Sequence, residues 1–221
     1  MNTRRPILVA MPQPAGTAPE TSDSHRRDPE ADQPERLFGW WDMFVHPNDD
    51  PREQGGEVTG EREVLVRYLR DYRLTLELKC AGLDAEAMAR RSVPPSNLSL
   101  LGLVRHLAGV EQYWFKIVLA GIAEPRLYRS DAEPNGDFTG AAADPDLVAA
   151  AWRTWQSEVA FAEQFVDEAP DLEFSGAFPA GEYASGSTTL REVMVHLIEE
   201  YARHMGHADF LRERIDGRVG Q

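Results

Sequence analysis

Four stretches of helical periodicity dominate the chain after residue 57 and limit the folds that it can adopt. In each stretch apolar residues recur every three or four positions, and strand-like alternation is nearly absent. Four helices of about 20 residues each bury their apolar faces most economically as an antiparallel, up-down four-helix bundle. The sequence therefore predicts an all-α fold for residues 58–221. From the capping and breaking residues, the expected helices cover about 59–82, 99–121, 144–169 and 189–217.

Residues 1–57 differ in composition and are predicted to form an N-terminal tail outside the bundle. Residues 1–35 are rich in Pro, Asp, Glu, Thr and Ser, and they bury too little apolar surface to offset the entropy of ordering, so we expect them to be disordered. The aromatic segment 37–45 is costly to leave in water. We expect it to dock loosely on the bundle, and a lid over a pocket or a dimer contact are the alternatives. The side chains expected to dock are Trp40, Trp41 and Phe44.

Charge and composition exclude several classes of function. The formal net charge is −14, and an acidic chain without a basic run repels a phosphate backbone, so we expect no nucleic-acid partner. No apolar run approaches the roughly 18–20 residues of a membrane span, and the short apolar patch near the start is not a signal-peptide core. The single cysteine, Cys80, permits no internal disulfide or cysteine-based zinc cluster and is more typical of a buried structural thiol than of a nucleophile. We therefore expect a cytoplasmic protein with no membrane partner.

Histidine and glutamate recur on one side of the predicted last helix. Glu200 and His204 are one turn apart and point towards the apolar side of this helix, whereas His196 and His207 fall further out. Side chains one turn apart have Cβ atoms about 5–6 Å apart, so both can reach one metal ion at about 2.1 Å. His106, beside the apolar stripe of the predicted second helix, is the candidate third ligand. Three ligands leave one coordination position for water or substrate, which is typical of a catalytic metal site.

Other interpretations of these residues stay open from the pattern alone. Each histidine is also compatible with a packed, hydrogen-bonded side chain, because Glu-x-x-x-His is a common spacing on helices. Glu111 favours a buried polar site, since a carboxylate in the apolar arc of a helix needs a partner such as a metal ligand or an arginine. The sequence has no G-x-S-x-G, G-x-x-x-x-G-K, dinucleotide-binding or H-E-x-x-H motif. A cofactor would then supply the difficult chemical step.

Two stretches of the chain resemble the DinB-like superfamily of bacterial four-helix proteins, and within it an actinobacterial branch. They are SLLGLVRHLAGVEQYWF (Ser99–Phe115) and HLIEEYARHMGHADFLRERIDG (His196–Gly217), and the resemblance extends over about residues 60–217. It implies the fold of DinB and of mycothiol-dependent maleylpyruvate isomerase, with a divalent metal bound by one histidine of the second helix and two ligands of the last. Most DinB relatives carry His-x-x-x-His in the last helix, and the isomerase type carries Glu-x-x-x-His. The positions that match the ligands are His106, Glu200 and His204.

The resemblance also implies a function. The superfamily includes transferases and isomerases that use mycothiol, bacillithiol or glutathione, so we expect a divalent-metal-dependent transferase or isomerase that uses a mycothiol-type thiol. Zinc is the expected ion and nickel the alternative, the expected partner is a small-molecule substrate or thiol, and a homodimer is an open expectation. The competing interpretation is a non-catalytic metal-binding or stress-response module. A fourth protein ligand, such as His207, would favour that interpretation.

Overall fold

The chain is mostly helical, as predicted. A computed structural model describes residues 34–38, 43–54, 56–181 and 186–221. Its long helices are α1 (Glu61–Cys80), α3 (Leu100–Glu111), which continues as a π-helix over Gln112–Leu119, α5 (Pro145–Glu168) and α6 (Leu190–Asp216). Helix α1 packs mainly against α6, α3 packs mainly against α5, and α3 also contacts α6. This arrangement brings α3 and α6 together, which matters for the site described below.

Local signals explain where the long helices begin and end. Ser99 caps α3 by accepting a hydrogen bond from the Gly102 N–H, 3.1 Å away. Thr189 and Glu192 form a capping box at the start of α6, and Gly217 ends this helix in the left-handed conformation with φ of 78°. These boundaries lie within a few residues of the predicted ones.

Short elements that the sequence did not predict lie between the long helices and on either side of them. Asp84 starts the single turn α2 (Ala85–Ala89) by accepting a hydrogen bond from the Ala87 N–H, and α4 (Gly136–Thr139) is equally brief. Two small sheets pair β1 (Leu37–Phe38) with β4 (Arg218–Val219) in parallel, and β2 (Ser175–Ala177) with β3 (Ser187–Thr189) in antiparallel orientation. Elements of two to five residues are too short to produce a periodic apolar pattern. Two 3₁₀ turns, Pro47–Asp49 and Pro51–Glu53, precede α1.

The second predicted helix changes its geometry halfway. After Glu111 the hydrogen bonds lengthen to the π pattern, and the Ala120 N–H reaches the Phe115 carbonyl at 3.0 Å. The buried Gln112 at the junction anchors the following loop, because its amide accepts from the Leu127 N–H at 2.8 Å and donates to the Pro125 carbonyl at 3.0 Å. Such a tertiary contact leaves no trace in the sequence pattern of the helix itself.

Helix α3 lies at the centre of the apolar core. Its side chains Leu103, Val104 and Leu107 are fully buried, and α6 contributes Leu197 and Tyr201 to the same core. Cys80, at the end of α1, is also buried, and burial raises the pKa of its thiol to about 12. The thiol therefore stays protonated at neutral pH, as expected of a structural cysteine. No helix in the described ranges has the length and apolar character needed to cross a membrane.

The aromatic segment before α1 is partly described. Phe44 is buried, and the cationic groups of Lys79 and Arg218 lie 4.1 and 3.9 Å from its ring centroid. Phe44 therefore docks as predicted. The predictions for Trp40, Trp41 and residues 1–33 lie outside the described residues, and the boundary at residue 58 stays a prediction.

Candidate metal centre

The three predicted ligands converge between α3 and α6. One donor atom from each of His106, Glu200 and His204 lies within 4.8 Å of the others. The carboxylate atom Oε2 of Glu200 is 3.4 Å from His204 Nε2 and 3.8 Å from His106 Nε2. Donor atoms bound tetrahedrally to one ion at about 2.1 Å are separated by about 3.4 Å. Two imidazoles and one carboxylate at these distances fit a divalent ion with small side-chain adjustments.

The packing of the two helices positions these side chains. On α6, Tyr201 and Ala208 are fully buried, and Glu200 and His204 lie beside them one turn apart. On α3, His106 is flanked by Arg105 and by Leu107, which lies in the core shared with α6. The exposed fractions of the three ligand side chains are only 10–17%, so the site is shielded but remains open on one side.

His106 is held in place by a buried carboxylate. Its Nδ1 is 2.9 Å from Oδ2 of Asp137, and the Phe138 ring stacks on the imidazole with a centroid distance of 5.2 Å. Asp137 lies in the short helix α4. Arg105 holds this helix in place by donating hydrogen bonds to the carbonyls of Asp137 and Gly136, at 2.9 and 2.8 Å. With Nδ1 bonded to Asp137, the Nε2 atom of His106 faces Glu200. A carboxylate behind a metal-binding histidine is the usual way to fix its orientation.

Asp137 was missed by the sequence analysis. It lies 31 residues after His106, in α4, a four-residue helix too short to give a periodic signal. Only the general expectation that a metal-binding histidine has a hydrogen-bonded partner could have prompted a search for it.

The charges of the cluster favour a bound cation. The neighbouring His106 and His204 hold the pKa of the Glu200 carboxyl far below its usual value. Burial alone would lower the pKa of His106, but Asp137 and Glu200 raise it. The nearest guanidinium, that of Arg203, is 3.8 Å from Glu200 Oε1, and its side chain is 63% exposed. Two ionised carboxylates thus share the site with imidazoles, which is a donor set suited to a divalent ion.

The outer histidines lie where the helical spacing placed them. The side chain of His196 is 38% exposed, packs against Trp114 and has its Nε2 3.6 Å from Glu200 Oε1. His207 lies behind His204, with the two Nδ1 atoms 3.2 Å apart. Burial and the nearby His204 lower the pKa of His207, which favours its neutral form. Neither residue belongs to the group of converging donor atoms.

Glu111 has an arginine as its partner rather than a metal site. It accepts two hydrogen bonds from Arg73, at 2.8 and 2.7 Å. The hydroxyl of Tyr201 donates to the same carboxylate at 2.8 Å, and Trp155 Nε1 donates to that hydroxyl at 2.8 Å. The structure thus decides between the two alternatives that the sequence left open for Glu111. Arg73 and Tyr201 had not been identified as its partners.

Comparison with known proteins identifies the family of the chain. A crystal structure described as the conserved protein of locus from Enterococcus faecalis is similar to the chain, with 14% sequence identity and a TM-score of 0.50, over 72% of this chain and 98% of that one. At this identity the likeness concerns the fold alone. Comparison with curated proteins gave no match. Residues 64–217, well over half of the chain, match the mycothiol-S-transferase family, a DinB-like family, and the chain therefore belongs to it.

Proposed function

We propose that this protein is a divalent-metal-dependent transferase that uses mycothiol or a related low-molecular-weight thiol. The observation that carries the proposal is the convergence of His106, Glu200 and His204 in a chain of the mycothiol-S-transferase family. Zinc is the ion we propose, because nitrogen and carboxylate ligands in a three-residue set with an open position suit it; nickel is the alternative. An isomerase that uses the same thiol is the closest competing activity.

We propose further that α1, α3 with its π-helical continuation, α5 and α6 form the antiparallel, up-down four-helix bundle of DinB-like proteins. The pairing of α1 with α6 and of α3 with α5 supports this topology. The single free cysteine and the need for a reduced small thiol are compatible with a cytoplasmic location, which we also propose. The tail over residues 1–57 and a homodimer remain predictions.

Each residue of the site has a role in this proposal. His106, Glu200 and His204 would hold the ion. When bound, a divalent ion supplies a Lewis acid that lowers the pKa of a thiol at its open position. With Asp137 as the acceptor for Nδ1, the neutral imidazole of His106 would present its Nε2 lone pair to the centre.

His196 has a different role, because it lies on the solvent-facing side of the cluster. Its side chain is partly exposed, and its Nε2 is 3.6 Å from Glu200 Oε1. This atom is therefore positioned to accept the proton that a thiol releases on entering the site.

A comparison of two neighbouring glutamates on α6 tests the proposal. The untagged protein is purified, its metal content is measured, and it is mixed with mycothiol and monochlorobimane as a general electrophile. We expect fluorescence to rise faster than the uncatalysed rate in the wild-type protein and in Glu199→Ala, whose side chain is exposed. Glu200→Ala should return the rate to the uncatalysed level. Metal-replete wild-type protein that fails to accelerate the reaction of mycothiol with this electrophile and with maleylpyruvate would contradict the proposal.

A further inference from the structure

A cavity of about 660 Å³ lies between α1 and α5, away from the metal centre. Its volume falls within the range of about 300–1,000 Å³ that small-molecule sites occupy. The described residues that line it include none of His106, Glu200 and His204. By contrast, the space directly behind His106 measures about 20 Å³, enough for one water molecule at most. The larger cavity is therefore a candidate for a separate ligand.

Much of the cavity wall is apolar. Helix α1 contributes Val66 and Leu69, α5 contributes Val166, and α6 contributes Met194. Leu69 and Met194 are buried in the core, whereas the side chain of Val66 is 40% exposed at the rim. The wall thus runs from the core to the surface and would shelter an apolar ligand that enters from solvent.

A buried cation lies at one end of this wall. Arg73 is four residues after Leu69 on α1, and its side chain is 8% exposed. Its Nε and Nη2 atoms donate hydrogen bonds to Glu111, whereas within the described part of the chain Nη1 has a single long ion pair, 3.5 Å, with Glu163. The side chain of Glu163 is 59% exposed, so little free energy is lost when its carboxylate moves away from Arg73 into water. Nη1 can therefore donate a hydrogen bond to an anion that binds more closely than Glu163 does.

The remaining charges of the lining limit what that partner can be. Three more arginines line the cavity and three carboxylates oppose them, while Arg73 is already matched by Glu111, so the charges around the cavity balance. One of these arginines, Arg62, already donates to the carbonyls of Val166 and Ala169 at 2.9 Å. A single carboxylate that replaces Glu163 on Nη1 of Arg73 keeps this balance, whereas a multiply charged phosphate would add unmatched negative charge beside an apolar wall. The other charged residues of the lining are Glu63, Arg67, Arg70 and Asp167.

We propose that this cavity binds a monocarboxylate with an apolar body. The carboxylate takes the place of Glu163 on Nη1 of Arg73, and the apolar body packs against Val66, Leu69 and Met194. The site is separate from the metal centre. A failure of this proposal would therefore leave the proposed transferase activity untouched, and a failure of the proposed activity would leave this site untouched.

The test is calorimetric titration of the full-length protein with decanoate, decylamine and decanol. We expect decanoate to bind with at least tenfold higher affinity than the other two, because only decanoate offers a partner to Arg73. Val66→Glu places a like charge at the rim and should weaken decanoate binding at least tenfold. Tyr68→Glu is the matched control, because Tyr68 is 58% exposed on the same helix and does not line the cavity. The affinity of this variant for decanoate should stay within about twofold of that of the wild type.

A second variant removes the competing anion without disturbing the core. Glu163→Gln should tighten decanoate binding by about two- to fivefold, which is the range expected for an exposed ion pair. Equal binding of the three ligands would overturn the proposal in favour of a simple apolar groove. Decanoate binding that disappears with a chelator but survives Val66→Glu would place the ligand at the metal centre, which would also overturn the proposal. The absence of any decanoate binding would overturn it as well.

Discussion

Two buried polar clusters share helices α3 and α6, and they are built on opposite principles. In the first, which we call the arginine cluster, a carboxylate is matched by a cation of the protein. In the second, the histidine cluster, the carboxylates face imidazoles. The arginine cluster consists of Arg73, Glu111, Tyr201 and Trp155. The histidine cluster consists of His106, Asp137, Glu200 and His204.

The arginine cluster is closed. Both carboxylate oxygens of Glu111 accept hydrogen bonds from Arg73, and the side chains of Glu111 and Tyr201 are fully buried. Burial and the adjacent Glu111 carboxylate raise the pKa of Tyr201 well above its usual value, so its hydroxyl remains a donor. Because the carboxylate of Glu111 is matched by Arg73 and Tyr201, it needs no bound cation.

The histidine cluster is open by comparison. Its Glu200 carboxylate lies 3.4 Å or more from the two imidazoles, and the ligand side chains keep 10–17% of their surface exposed. Its four members include neither arginine nor lysine. The same helices thus carry one carboxylate with a buried, permanent counter-charge and another that faces imidazoles and has only the distant, exposed Arg203 as a cation of the protein. The contrast teaches that a carboxylate without a close cation of the protein, rather than burial as such, distinguishes the proposed metal centre.

The largest effect is expected from breaking the arginine cluster. Glu111→Ala should lower the free energy of unfolding by about 3–5 kcal/mol, because it leaves the guanidinium of Arg73 buried without its main partner. Urea unfolding followed by circular dichroism measures this loss. Glu163→Ala removes the exposed partner of the same arginine and should cost less than about 1 kcal/mol.

The metal content of the folded Glu111→Ala protein sharpens the comparison. It should equal that of the wild type, since Glu111 lies outside the converging donor atoms. A loss of metal together with stability would show that the two clusters form a single unit, contrary to our assignment.

The second effect concerns the ligands of the histidine cluster. His106→Ala or His204→Ala should weaken metal binding more than about 100-fold, since changes in residues that only orient ligands already cost 10–100-fold. Titration with zinc in competition with a chromophoric chelator measures the affinity. His196→Ala is the control on the same helix, and a similar loss in that variant would show that the wrong face of α6 was chosen.

The sequence predicted the histidine cluster better than the arginine cluster, for a physical reason. Glu200 and His204 lie on one helix, so helical periodicity relates them, and the resemblance to DinB-like proteins pointed to His106 on another helix. Arg73 and Glu111 are 38 residues apart on different helices. Periodicity shows that Glu111 faces the core but not which residue of another helix faces it.

The fold shows the same difference between local signals, which the sequence reveals, and contacts between distant residues, which it does not. The helical character and the ends of the long helices could be predicted, because capping residues and apolar spacing are local signals. The π-helical continuation of α3 and the short helix that carries Asp137 depend on tertiary contacts of Gln112 and Arg105. Local patterns do not encode such contacts, and therefore these features were missed.

A third prediction concerns Asp137, which orients a ligand without being one. Asp137→Asn should weaken metal binding about 10-fold to 100-fold, less than the loss of His106 itself, because the amide keeps the shape but not the charge behind the imidazole. The same chelator competition measures it. Asp131→Asn changes an exposed carboxylate in the loop before α4 and should leave the affinity unchanged. An unaltered affinity in Asp137→Asn would mean that the hydrogen bond to His106 Nδ1 does not support metal binding.

The smallest effect is expected at His207, and it separates an open site from a saturated one. His207 faces the Nδ1 atom of His204, whereas the Nε2 atom of His204 faces Glu200. It therefore lies behind a ligand rather than at the centre, and His207→Ala should change the zinc affinity by less than about tenfold. Cobalt-substituted protein provides a second measurement, since the visible spectrum of the ion should change on addition of mycothiol if one position is open. A loss of metal in His207→Ala as large as in His204→Ala, with a cobalt spectrum that does not respond to the thiol, would identify His207 as a fourth ligand. The site would then be closed like the arginine cluster, and the protein would be a non-catalytic metal-binding module.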